Sequence, residues 1–125
     1  MGYESKLYVV DTSAGDYNLP QNGLKYARII TMFDVCCFPA VSDMFREKKQ
    51  TGYFICIGDD DILEDKYGDA LYFAELQDVI DVIEKEVEKG ENYRRAKPLL
   101  AALKVYEKQR KNGEWKDIKI LHYGY

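Results

Sequence analysis

Apolar residues recur along this chain with two spacings, and the spacings divide it into strands and helices. Residues 6–12, KLYVVDT, alternate, with Leu7, Val9 and Asp11 on one side and Tyr8 and Val10 on the other, which predicts a strand. Turn-forming residues 13–23 follow, over a longer stretch than a tight hairpin needs. Residues 26–38, YARIITMFDVCCF, are the most apolar and β-branched run. Period two places Ile29, Thr31, Phe33, Val35 and Cys37 on one face and Arg28, Ile30, Met32, Asp34 and Cys36 on the other. Both faces are largely apolar, so this run is expected to be the central strand, ended by Pro39.

Residues 42–49 predict a short helix with Ser42 as its N-cap and Gly52 beyond it. Residues 53–57 form a short buried strand, and 62–72 a weak hairpin turning at 66–69. The clearest helical spacing is Leu76, Val79, Ile80, Ile83 and Val87 within residues 75–89, with Asp78, Asp81, Glu84 and Glu88 opposite and Gly90 at its end. A second helix carries Leu99, Ala102, Leu103 and Tyr106; Pro98 lacks an N–H, so the helix is expected to start there and run over 98–111. Residues 117–122 alternate as a last strand. The fold class is therefore α+β, a mostly antiparallel sheet of about five strands. The two longer C-terminal helices pack on one face, one short helix accompanies them, and the first and last strands lie near each other.

At 125 residues the chain is expected to be one domain, residues 1–125, with 46% apolar and 32% charged residues. Three cysteines, two of them adjacent, do not make a disulfide framework. No leader pattern opens the chain and no apolar run approaches the ~20 residues of a membrane span, so a cytoplasmic protein without membrane contact is expected. The net charge of −4 hides a strong polarity. Residues 59–91 hold thirteen acids and three bases, whereas residues 94–119 hold nine bases and three acids. Such blocks make a dipolar molecule, whose charged faces are expected to be solvated and to neutralise each other in part on folding, or else to offer one patch for a partner and one for self-association as a homodimer.

Several clusters suggest chemistry. Residues 11–15, DTSAG, resemble the D-x-S-x-S metal loop of von Willebrand A-type domains, but Gly15 replaces the second serine, and a closed strand end is expected instead. Asp59, Asp60 and Asp61 are hard ligands that a metal-dependent phosphoesterase could use; Glu64 and Ala70 break the EF-hand spacing. His122 is the one histidine, and Cys36, Cys37 and Cys56 have no C-x2-C spacing, so the cysteines are expected to be structural. Asp34, in an apolar run, is expected to be buried and paired. Tyr93, Arg94, Arg95 and Lys97 cluster at a helix entry and form a candidate seat for an anion or a small nucleotide. Nucleic acid is not expected, given a pI near 5.1. Eleven tyrosines are present; Tyr123 and Tyr125, with Asp59, Asp60, Asp61, Asp78 and Asp81, are the candidate partner-binding residues. No catalytic residue, metal site or cofactor is expected.

The opening MGYESKLYVV, residues 30–36 ITMFDVC, residues 64–68 EDKYG and the closing LHYGY resemble small phage and prophage proteins of gut Bacillota. The resemblance implies a mobile-element accessory protein in a bacterial cytoplasm, of a kind that acts by binding a host or defence protein. It implies no catalytic residues. The expected function is non-enzymatic protein–protein binding, ahead of nucleotide or anion sequestration and, last, phosphoesterase chemistry.

Overall fold

The computed structural model describes residues 5–13, 24–35, 38–48, 50–90 and 95–124. In chain order the elements are β1 (Ser5–Asp11), β2 (Lys25–Tyr26), β3 (Arg28–Asp34), α1 (Pro39–Lys48), β4 (Tyr53–Ile57), β5 (Asp60–Ile62), β6 (Tyr72–Glu75), α2 (Leu76–Glu88), α3 (Ala96–Lys111) and β7 (Ile118–Gly124). Four strands form an antiparallel sheet in the order β3-β1-β7-β6, and three form a smaller sheet in the order β2-β4-β5. The α+β class and the pairing of first and last strands agree with the sequence.

β1 and β7 are the centre. They pair along their full length, from Ser5 opposite Gly124 to Asp11 opposite Ile118. Alternation sends Leu7, Val9, Ile118 and Ile120 into a core shared with the helices, where Phe45, Ile83 and Leu103 are fully enclosed. Tyr8, Val10 and Leu121 point the other way, into a second core closed by Ala27, Ile55 and Leu71. The small sheet supplies that second cover, which the sequence did not announce. Each such side chain contributes about 1.5–3 kcal/mol through burial, so a sheet apolar on both faces needs a layer on each side.

The run 26–38 is not the central strand. It takes in the end of β2 and all of β3 and stops just before α1, and β3 stands at the edge of the four-stranded sheet. Arg28, Met32 and Asp34 are exposed along it, which suits an edge position. The register slips between Val9 and Val10: Val9 faces Thr31 and Val10 faces Ile29, leaving Ile30 as an inserted residue. The slip directs Ile30 to the helix-side core and Ile29 to the second core. Asp34 is not buried: its side chain is 56% exposed and 3.7 Å from Arg95. Cys36 and Cys37 lie outside the described residues.

Three further boundaries differ from expectation, each for a local reason. Pro39 begins α1 rather than merely ending a strand, because the first helical N–H needs no partner. Ser42 is accordingly inside the helix, buried, with its N–H donating to Phe38 O. α3 starts at Ala96 and carries Pro98 as its third residue, where a missing N–H is equally harmless. β4 returns through Gly58, at φ 62°, into β5. The expected turn at 66–69 is also present, closed by the Asp65 N–H to Asp69 O bond at 2.7 Å and the Glu64–Ala70 bridge. No helix among the described residues is long and apolar enough to cross a membrane.

Candidate functional site

The helices form one layer on the sheet, with α1 and α3 on either side of α2. α2 buries Leu76, Val79, Ile80 and Ile83, so its acidic residues are left on the outer surface. Two grooves run beside it. The α1–α2 groove, about 460 Å³, has Ala40, Met44 and Val82 as an apolar floor. Asp43 and Glu47 from α1 and Asp78 and Asp81 from α2 make its rims. Asp43 and Glu47 are one helical turn apart, as are Ala40 and Met44, so one face of α1 presents acids beside a floor. Lys85, Glu86 and Lys89 complete the lining, which therefore holds five carboxylates and two ammonium groups.

The α2–α3 groove, about 340 Å³, has the opposite character. Lys104, Lys108 and Lys111 line it against Glu84 and Glu107. Lys104 Nζ is 3.1 Å from Glu84 Oε1. Glu107 is buried and accepts two bonds from Arg110, at 2.6 and 3.0 Å. That guanidinium holds the Glu107 carboxyl below its usual range, against the opposing effect of burial. Glu107 is thus neutralised by Arg110 within α3 and Glu84 by Lys104 across the groove, so Lys108 and Lys111 set its sign.

The remaining sequence candidates fall in separate places. Of the anion seat, Tyr93 and Arg94 lie outside the described residues. Lys97 is exposed, and Arg95 donates to Asp34 O at 3.3 Å while lying beside the Asp34 carboxylate. Arg95, Met32, Phe33, Pro98 and Leu99 border a cleft of about 400 Å³ between β3 and the start of α3. Asp59, Asp60 and Asp61 are exposed on the β4–β5 hairpin and are not part of the α1–α2 groove that Asp78 and Asp81 line. Asp61 accepts a 3.1 Å bond from Cys56 Sγ, and burial together with that carboxylate pushes the thiol up to about 11. Tyr123 is half-buried, edge-on to Tyr8 with ring centroids 6.3 Å apart; Tyr125 lies outside the described residues. Among the described residues no three His, Cys, Asp or Glu side chains gather as a metal cage.

The D-x-S turn is closed on itself. Asp11 is buried and accepts from Ser13 N–H at 2.9 Å, Ser13 Oγ at 2.6 Å and Arg28 at 3.0 Å. Thr12 Oγ1 donates to Asp117 Oδ2 at 2.5 Å, tying the end of β1 to the approach of β7. His122 is enclosed too, with Ser5 Oγ 2.9 Å from Nε2. Burial pushes its pKa down to about 4, against the field of Asp65 and with that of Arg46. Ser5 and His122 are 1% and 5% exposed, so no substrate reaches the pair.

Sequence reasoning found Asp78 and Asp81 but missed Asp43, Met44 and Glu47. The signal is the Ala40, Asp43, Met44, Glu47 spacing, which a helix expected over 42–49 leaves incomplete and one beginning at Pro39 contains whole. Comparison with protein-family models, curated proteins and solved structures finds no match for this chain.

Proposed function

We propose that this protein is a non-enzymatic binding protein that works by protein–protein contact through the outer surface of its helix layer. The observation that carries the reading is the α1–α2 groove, where an adaptable apolar floor of Ala40, Met44 and Val82 lies between carboxylate rims. Methionine floors conform to varied side chains, and acidic rims select a basic partner while speeding its approach. A partner helix with one apolar stripe flanked by lysine or arginine matches both features. The resemblance to phage and prophage proteins supports a host or defence protein in the bacterial cytoplasm as the source of that helix. The anion reading has weaker support, because Arg95 is engaged with Asp34.

Fluorescence anisotropy with a labelled lysine-rich amphipathic peptide tests this. Binding should be saturable, weaken at least tenfold between 50 and 300 mM salt (on the order expected for screened charges), and be lost in a Glu47→Lys/Asp81→Lys variant. Equal binding of an acidic peptide, or of the variant, would reject the groove as the contact.

A further inference from the structure

The basic helix that this groove calls for is present in the chain itself. At about 100° per residue, Lys97, Ala101, Lys104, Val105 and Lys108 fall within one stripe of α3, and all five are exposed. Val105, at 55%, is the most exposed large apolar side chain among the described residues. The stripe therefore has lysines around a small apolar ridge. α3 already packs against α2 within its own chain, so its outer ridge cannot turn into the α1–α2 groove of the same molecule.

We infer that two copies of the chain associate through their helix layers, each seating the α3 ridge of one in the α1–α2 groove of the other. This rests on the reading of that groove as a protein-docking surface, and it names a second copy as an occupant. Ala101 and Val105 meet the Ala40, Met44 and Val82 floor, while Lys97 and Lys108 meet the carboxylate rims. A two-fold axis makes the contact reciprocal. Its offset has a second consequence. With helices about 10 Å apart, shifting α3 over the α1–α2 groove moves α2 of each copy over the α2–α3 groove of the other. The Asp78 and Asp81 side of α2 then faces Lys104, Lys108 and Lys111, so acidic ridge meets basic groove in the same arrangement. Both ridge-and-groove contacts are complementary in sign, which a simple stacking of α2 on α2 would not be.

α3 spans roughly 24 Å, so the shared face is small for a stable dimer, and a micromolar, salt-sensitive association follows. It also hides the groove. Self-association and partner binding therefore compete, which makes the concentration of the protein a control on its availability.

Sedimentation velocity on the full chain, from about 5 to 300 µM at 50 mM salt, tests the inference. The wild type should shift from monomer to dimer, and 300 mM salt should raise the dissociation constant at least tenfold. Glu47→Lys/Asp81→Lys and Lys97→Glu/Lys108→Glu should each be monomeric, with circular dichroism and melting close to wild type. Mixed one to one, the two variants should form a heterodimer, because each groove then meets an opposite ridge. A wild type that stays monomeric throughout, a dimer untouched by either variant, or a mixture that stays monomeric overturns the inference. Peptide binding by a monomeric wild type would leave the groove reading standing while this one fell.

Discussion

Phe45 lies flat against His122, with ring centroids 5.0 Å apart and planes 17° apart. The contact joins α1 to the central strand β7 and places an imidazole where its charged form has lost most of its water. Ser5 Oγ, 2.9 Å from Nε2, is the polar partner at that ring.

Stability should therefore fall with acid in a defined window. The unfolded chain takes up a proton on this histidine near pH 6.5, whereas the folded one does so at about 4. Between those values the unfolded state binds more protons, so stability rises with pH across the window and is fully restored above it. The stake is about 3 kcal/mol. Urea titrations from pH 7 to 4 should show this slope, and a His122→Phe/Ser5→Ala variant should flatten it. An unchanged slope in the variant would assign the acid sensitivity elsewhere.

Glu107 gives a second, lower window. Its carboxyl is held below the usual range by Arg110, so its contribution is present above about pH 4.5 and is lost as pH falls through the lowered value. Glu107→Gln should cost about 1 kcal/mol at neutral pH, a figure kept small by the 42% exposure of Arg110. The difference from wild type should shrink below pH 4.5 in matched urea curves. A constant difference down to pH 3 would contradict the charge pairing.

Leu103 and Val105 sit two residues apart on α3, at 0% and 55% exposure. Leu103→Ala opens a cavity beneath the helix layer and should cost 2–5 kcal/mol, or roughly that range. Val105→Ala should change monomer stability by less than about 0.5 kcal/mol. Thermal denaturation at low micromolar concentration separates the two; comparable losses would mean that α3 is seated differently.

Cys56 should be a slow thiol. With its pKa pushed up to about 11 by burial and by Asp61, its thiolate fraction at neutral pH is about a hundredfold below that of an ordinary cysteine. Alkylation followed by peptide mass spectrometry should show this, and Asp61→Asn should speed the reaction. A rate equal to free cysteine would rule out the Cys56–Asp61 bond.

How much of this could be seen in the sequence depended on how local the cause was. α2 was legible to within a residue because its apolar spacing and its closing Gly90, at φ 79°, are local features. β1 and β7 were legible for the same reason. The place of β3 was not, because an edge strand with one inserted residue has nearly the same composition as a central one. Only the slip at Ile30 and the exposure of Met32 and Asp34 distinguish it. Pro39 is expected to end a strand and Pro98 to open its helix; both sit within the first three helical positions, where the missing N–H costs nothing. The groove needed two helices brought side by side, so Asp78 and Asp81 could be named from α2 alone but Asp43 and Glu47 could not be joined to them.

The position of β7 bears on when this protein can become itself. β7 stands between β1 and β6, yet it follows every other element along the chain. Residues up to Lys111 can make the β1–β3 pair, the β4–β5 hairpin and the three helices, but no four-stranded sheet on which to lay them. Both cores therefore stay open on the ribosome until Ile118–Gly124 has cleared the exit tunnel. Folding waits on joining segments more than a hundred residues apart, which favours slow, concerted closure over stepwise assembly.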